Sequence, residues 1–327
     1  MGLRVAIQMD PLESIHIETD STFVLGLEAQ RRGHQLFHYT PLDLHWRDGR
    51  VYATARPFVF RREQGAHFTA EPPQPLDLAS VDVVLMRQDP PFNLAYISAT
   101  HLLDRLPSRV LVVNDPTAVR NAPEKLFVTA FHDLMPPTLI TYDLAEIKAF
   151  QREHGDIVVK PLYGAGGSGV FLIRREDVNL NSLHELLRSF LDEPLMVQKY
   201  LPEVRRGDKR IVLIDGRPAG AVNRIPPADD ARANLHVGGR PERAVLDERD
   251  LWICERIGPC LREQGLIFVG IDVIGGYLTE INVTSPTGLQ EINRLEGRRL
   301  EAEIWDAIER RLGERRAGEG SGVRAEG

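Results

Sequence analysis

Lys160 heads the run Pro161-Leu162-Tyr163-Gly164-Ala165-Gly166-Gly167-Ser168-Gly169, which places four glycines in six positions. Glycines let backbone N–H groups close on an anion with no Cβ in the way. A lysine one strand-end away adds a point charge. The chemistry this suits is phosphate binding. The flanking stretches Ile157-Val158-Val159 and Val170-Phe171-Leu172-Ile173 are short and rich in β-branched or aromatic residues, so both read as strands. A dinucleotide fingerprint or a P-loop opens a helix after its glycines. Here the chain returns as a strand, so the loop is a hairpin tip. A flexible tip with no ligand is the plain alternative for the loop on its own.

A second hairpin, residues 267–283, carries Asp272 on one strand and Glu280 and Asn282 on the other. Period-2 alternation puts Glu280 and Asn282 on one face. Oxygen donors on a rigid sheet suit Mg²⁺, which takes one or two carboxylates and fills its shell with water and phosphate. Register decides whether Asp272 joins them. A two-residue turn at Gly275-Gly276 pairs Ile271 with Glu280 and turns Asp272 away. A three-residue turn from Ile274 pairs Gly270 with Glu280 and brings Asp272 onto the ligand face. Acids decorating a solvated sheet face are the alternative.

These loops need a frame, and the first ~120 residues alternate strands with helices in the manner of a parallel α/β sheet. Strands are expected at residues 4–9, 35–39, 81–86 and 110–113. Between the first two lies a helix capped by Asp20 or Ser21 and stopped at Gly33. Residues 41–80 are punctuated by Pro and Gly, with a hairpin at Asp48-Gly49. No G-x-G-x-x-G follows the first strand, so this is no ordinary Rossmann nucleotide site. Helices are expected at 124–131, 183–191 (capped by Asn181-Ser182), 248–264 and 296–312, and strands at 196–200 and 211–214. Residues 226–239 form a long polar loop, and a loop of that length is usually functional. It reads as a lid.

The 327 residues suffice for two or three domains. A net charge of -7 argues against a nucleic-acid surface, and no apolar run approaches the roughly 20 residues that span a bilayer. The start, Leu3-Arg4-Val5-Ala6-Ile7, is a strand rather than a signal peptide. Cys254 and Cys260 lack metal or redox spacing and read as two buried thiols in a reducing cytoplasm. From Arg315 on, Gly, Glu, Arg and Ser without periodicity suggest a disordered tail.

The order of these features resembles the ATP-grasp ligases, and within them the bacterial glutathione synthetase family. The resemblance rests on Met86-Arg87-Gln88-Asp89-Pro90-Pro91-Phe92, Asn121-Ala122-Pro123-Glu124-Lys125-Leu126-Phe127, the Lys160 loop, Gln198-Lys199-Tyr200-Leu201-Pro202 and Gly207-Asp208-Lys209-Arg210. It extends through Asn234-Leu235-His236-Val237-Gly238-Gly239-Arg240 to Leu278-Thr279-Glu280-Ile281-Asn282-Val283-Thr284-Ser285-Pro286-Thr287. That last block is the most specific.

The resemblance implies an α/β, three-domain ATP-grasp fold. It has an N-terminal parallel α/β (Rossmann-like) domain (1–120), a central domain with the glycine hairpin (121–200) and a C-terminal domain with the Mg²⁺ site (201–314). ATP is held between the last two, which are α+β, and residues 315–327 are tail. It implies ligation of γ-glutamylcysteine to glycine through an acyl phosphate, with ATP going to ADP and phosphate.

Lys125 and Lys160 would grip the α- and β-phosphates, and Gly164, Gly166, Gly167, Ser168 and Gly169 would close on the γ-phosphate. Gln198, Lys199, Tyr200 and Leu201 would hold adenine, and Asp208 the ribose. Asp272, Glu280 and Asn282 would bind Mg²⁺, with Mn²⁺ as the alternative. Arg210 would meet charge at the acyl phosphate, with Arg224 and Asn234 as substrate contacts. Ser285, Pro286, Thr287 and Gly288 would line the glycine or dipeptide pocket, which Arg87 and Asp89 reach from the first domain.

The resemblance also implies a cytoplasmic homo-oligomer, a tetramer, with small-molecule substrates and neither nucleic-acid nor membrane partners. It departs at Asp229-Asp230 and Ala231-Arg232-Ala233, which replace small residues of the mobile loop, and His236 receives no catalytic role. Two rivals share the ATP residues: a D-alanine–D-alanine ligase-like enzyme and an ATP-binding regulatory protein without turnover.

Overall fold

The computed structural model describes residues 2–164, 166–228, 232–234 and 238–322. Three sheets organise it. The first runs β3-β4-β2-β1-β7-β8 from β1 (Arg4–Gln8), β2 (Gln35–Tyr39), β3 (Leu44–Arg47), β4 (Arg50–Phe60), β7 (Val83–Met86) and β8 (Leu111–Val113). Two short strands, β5 (Phe68–Ala70) and β6 (Gln74–Asp77), pair with β4. The four strands β2-β1-β7-β8 are parallel; runs such as Val5-Ala6-Ile7 are fully buried, as a sheet covered on both faces requires. Helix α1 (Ser21–Arg31) starts where the Asp20 carboxylate accepts from the Phe23 N–H, and Gly33 follows its end at φ 79°. Helices α2 (Leu94–Leu103) and α3 (Pro116–Asn121) follow β7 and β8.

The second sheet, β11-β10-β12-β9, is antiparallel: β9 (Thr138–Thr141), β10 (Ile157–Pro161), β11 (Phe171–Ile173) and β12 (Leu195–Lys199). Helix α4 (Glu124–Phe127) precedes it, and α5 (Leu144–His154) and α6 (Leu180–Phe190) accompany it. Two expectations shift here. The helix expected over 124–131 tightens into a 3₁₀ turn after Phe127 and kinks at Phe131, following the β-branched pair Val128-Thr129. Helix α6 begins before its expected cap, because buried Leu180 anchors its first turn.

The third sheet, β15-β14-β13-β16-β17, comprises β13 (Asp208–Ile214), β14 (Arg217–Ile225), β15 (Arg240–Arg243), β16 (Phe268–Ile274) and β17 (Tyr277–Asn282). Helix α7 (Glu248–Glu263) packs on it behind a capping box of Asp247 and Asp250. The closing helix expected over 296–312 starts later, as α9 (Leu300–Gly322), and a separate, unexpected helix α8 (Leu289–Glu296) precedes it and stops at Gly297, φ 69°. The disordered tail expected from Arg315 on is corrected over residues 315–322, which prolong α9; 323–327 lie outside the described residues. Glu314, Arg315, Arg316 and Ala317 favour helix, and Arg315 and Arg316 reach Ser108 O and Asp82 of the first sheet's unit. Cys254 is buried with its thiol pushed up to about 12 by burial, whereas Cys260 is only partly covered.

On one face the second sheet has a core of its own, built on Ile147, Ile157, Val159, Ile173 and Leu195, while Met196 from its other face joins residues of the first and third sheets. The first and third sheets instead share their cores: Val5, Ile7, Phe23 and Leu25 pack with Phe268, Leu289, Trp305 and Ile308. Asn114, just beyond β8, braces that junction. Its amide donates to Phe268 O (2.7 Å) and Val283 O (2.8 Å) and its oxygen accepts from the Phe268 N–H (2.9 Å), all buried. Asn114→Ala removes these three hydrogen bonds, each worth about 0.5–1.5 kcal/mol net. The expected cost is about 2–4 kcal/mol, read as a fall of roughly 5–10 °C in melting temperature. An unchanged midpoint would show that the brace carries no stability.

Candidate active site

The glycine hairpin stands as expected between antiparallel β10 and β11, with Val158 opposite Leu172 and Val159 opposite Phe171. Gly166, Gly167 and Gly169 sit at φ 63°, 82° and 71°, where a Cβ is strained. A Cβ on Gly167 would also lie 2.6 Å from the Asn234 Oδ1. Lys125, on α4, donates through Nζ to the Gly164 carbonyl, and Arg232 Nη1 donates to Gly167 O at 3.3 Å. The loop is thus tied on both sides. Burial lowers the Lys160 pKa, against the pull of Glu280 and with the push of Lys125.

Beneath the loop lies a cleft. Lys125, Lys160, Gly164, Gly166, Gly167, Ser168, Gln198, Lys199, Tyr200, Leu201, Asp208, Asn234, Asp272 and Glu280 all line it; Gly169 does not. Gln198 ends buried on β12, its amide on Thr138 Oγ1 at 3.0 Å. The apolar walls are Pro136, Val158, Leu172, Val204 and Ile274, which sequence reasoning missed. One signal was present: Val158 and Lys160 share a strand face by period 2.

At the far wall the acid hairpin takes neither expected register. The turn is Gly275-Gly276, with Ile274 opposite Tyr277, yet Asp272 faces Glu280 directly and Gly270 faces Asn282. Thr279 is the extra residue of a bulge that shifts the pairing by one, and its hydroxyl donates to Asp272 O at 3.1 Å. The two-residue turn that should have turned Asp272 away therefore puts Asp272, Glu280 and Asn282 on one face.

Asp272 is gripped by two guanidiniums. Arg210 donates from Nε (2.5 Å) and Nη2 (2.9 Å), and Arg224 Nη2 lies 2.9 Å away. Arg224 also bonds Asp208 at 2.5 Å, and all four side chains are buried. Burial pushes Asp272 up, but the two arginines outweigh it and hold the carboxyl well below its usual range. Burial, reinforced by Asp272, lifts Asp208 to about 6 against Arg224; its Oδ1 has no partner among the described residues. Lys125 stands 3.8 Å from Glu280.

A hard divalent cation fits this donor set. Among the described residues no three His, Cys, Asp or Glu converge, but Asp272, Glu280 and Asn282 offer oxygens from one face. The Asn282 amide is 3.4 Å from Asp272 Oδ2. Few protein ligands plus phosphate and water is the arrangement Mg²⁺ favours.

The 284–288 segment closes the site against the first sheet's unit. Arg87, beyond the carboxyl end of β7, donates to Thr22 Oγ1 (3.0 Å) and Pro286 O (2.9 Å), and lies over Phe268. Its Nη1 is buried without a partner among the described residues. Ser285 donates to Arg87 O, and Arg210 Nη1 to Thr287 O. Gly288 caps α8 at φ 104°. Asp89 is exposed, its N–H on Asp10, so Arg87 and Asp89 stand outside the nucleotide cleft. Glu124, quoted in the sequence only as part of a motif, accepts from Thr284 Oγ1 at 2.9 Å. Of the expected lid, Asp229, Asp230, Ala231, Leu235, His236 and Val237 lie outside the described residues.

Comparison with known proteins places this geometry. The family profile "Prokaryotic glutathione synthetase, ATP-grasp domain" matches residues 124–297, and "Prokaryotic glutathione synthetase, N-terminal domain" matches 3–120. The glutathione synthetase of Agrobacterium fabrum is 56% identical over 307 residues, 94% of this chain and 96% of the relative. That of Brucella melitensis biotype 1 is 57% identical over 311 residues, covering 95% and 100%. Among solved structures, D-cycloserine synthetase superposes with a TM-score of 0.65 at 16% identity, over 94% of this chain and 99% of that one. At that identity it speaks for the fold alone.

Proposed function

This chain belongs to the prokaryotic glutathione synthetase family, and from that premise we propose how its own residues divide the family's reaction. It is an ATP-grasp ligase that forms a peptide C–N bond, joining γ-glutamylcysteine to glycine as ATP is split. In this reading the dipeptide's terminal carboxylate takes the γ-phosphoryl group first, giving an acyl phosphate, and the glycine amine then displaces phosphate. Lys125 and Lys160 hold the α- and β-phosphates. The 164–169 loop covers the γ-phosphate and excludes water from a reactive intermediate. Residues 198–201 and the apolar walls hold adenine, and the open Oδ1 of Asp208 receives the ribose. Arg210 meets the charge of the acyl phosphate, with Arg224 and Asn234 beside it. Residues 285–288, held by Arg87, wall the dipeptide pocket, and Asp89 guards its mouth.

The family uses ATP and a divalent metal. We assign Mg²⁺, with Mn²⁺ as the alternative, to Asp272, Glu280 and Asn282; when bound it supplies positive charge to phosphate oxygens. The domain limits 1–120, 121–200 and 201–314, a cytoplasmic setting and a homotetramer belong to the same proposal. No helix among the described residues is long and apolar enough to cross a membrane.

The observation that best supports this division is the convergence of Lys125, Lys160 and the Asp272–Glu280 pair on one cleft. Its test is the fate of oxygen. With ¹⁸O in the dipeptide's terminal carboxylate, label is expected in the phosphate released when glycine is present, and slow ATP hydrolysis is expected without glycine. Label that never reaches phosphate would exclude activation by phosphorylation.

A further inference from the structure

The incoming amino acid must reach the acyl carbon from a side the nucleotide does not fill. A second, much smaller cleft offers that side. It meets the nucleotide cleft at Gly164, whose carbonyl holds Lys125. Its walls include Phe92 and Tyr163, whose rings stack across it with centroids 6.1 Å apart. It is narrow, with room for a group the size of a water molecule or an ammonium rather than for a whole amino acid. Of its lining residues only Glu124 carries a charge, and the Thr284 hydroxyl fixes that carboxylate at 2.9 Å.

We propose that Glu124, oriented by Thr284, is the site for the acceptor's ammonium group, takes its proton and aims the freed amine at the acyl phosphate. This rests on the ligase reading above. An ammonium entering a cleft walled by Pro90, Phe92, Leu162 and Tyr163 loses its hydration and needs a counter-charge, and Glu124 is the one the walls present. Burial, reinforced by Glu280 and opposed by Lys125, Thr284 and Arg210, lifts this carboxyl to about 7, near where a group can both accept and release a proton.

The step balances. One ammonium proton passes to Glu124. The nitrogen lone pair then forms the C–N bond as the bond from the acyl carbon to the phosphate oxygen breaks. The second proton leaves with phosphate, and Glu124 returns its own to water. Glu124 is not offered as a metal ligand, since no three acidic side chains converge among the described residues.

The test compares two acceptors in the full-length enzyme. Hydroxylamine is largely uncharged at neutral pH, so it can trap the acyl phosphate as a hydroxamate without an ammonium site. For Glu124→Gln, which keeps the volume, the glycine KM should rise about 10- to 100-fold. Hydroxamate formation and the KM for ATP and dipeptide should stay within about threefold, as should the Mg²⁺ concentration for half-maximal rate. Thr284→Val should move the glycine KM in the same direction by less. Equal losses with glycine and hydroxylamine, an unmoved glycine KM, or a shift in Mg²⁺ dependence alone would overturn the assignment. If the unaltered enzyme gave no hydroxamate, the acyl phosphate itself would fall, and this assignment with it.

Discussion

Glu280→Gln is expected to slow ligation at least about 10- to 150-fold while leaving the fold intact. The change removes a full charge from a carboxylate that faces Asp272 across β16 and β17 and stands 3.8 Å from Lys125, yet it alters almost no volume. Losing one charge-assisted contact costs about 1.5–3 kcal/mol, which sets that range. Glu280 also supports the charge of half-buried Lys160, so ATP binding should weaken in parallel. Raising Mg²⁺ should restore part of the rate. Steady-state kinetics at two Mg²⁺ concentrations, with a thermal melt as control, make the measurement. Near-normal turnover at moderate Mg²⁺ would remove Glu280 from the metal set.

Arg210→Ala should do as much through a different quantity. Arg210 grips Asp272 with two N–H groups and touches Thr287 O, so it joins the metal face to the substrate wall. The charge it meets builds up mainly in the transition state, so kcat should fall about 10²- to 10³-fold while the KM for ATP moves only a few-fold. Breaking a buried pair can also cost about 3–5 kcal/mol of stability, so Arg210→Lys serves as the second variant. It keeps the charge but cannot reproduce the two-pronged grip, and its kcat should lie between those of the other two forms. A rise in the KM for ATP with kcat unchanged in both variants would make Arg210 a nucleotide contact instead.

Local pattern carried the sequence reading far where it was unambiguous. The Gly-rich tip between two β-branched runs predicts β10 and β11 to within two residues, and buried apolar runs mark β1, β2, β7 and β8. It failed where one residue changes the count. Period 2 cannot foresee the Thr279 bulge, because the bulge is held by a hydroxyl bond to a backbone carbonyl on the partner strand and no local propensity encodes it. The tail misled for another reason. Its low apolar content says nothing about whether Arg315 and Arg316 find partners, and those partners, Ser108 and Asp82, lie more than 200 positions earlier. Glu124 and Asn114 were in view as letters, but their roles depend on neighbours across sheets.

The shared core of the first and third sheets also bears on how the chain is made. Trp305 donates its indole N–H to Leu25 O across 280 positions, and Phe23 and Leu25 are sealed beneath α8 and α9. A chain emerging from the ribosome N-terminus first cannot complete that seal until Trp305 and Ile308 have been added. Loop-closure entropy on this scale slows folding, and the half-made protein carries an open apolar face throughout synthesis, the state most exposed to aggregation. The middle sheet, with a core of its own on one face, can fold in the interval.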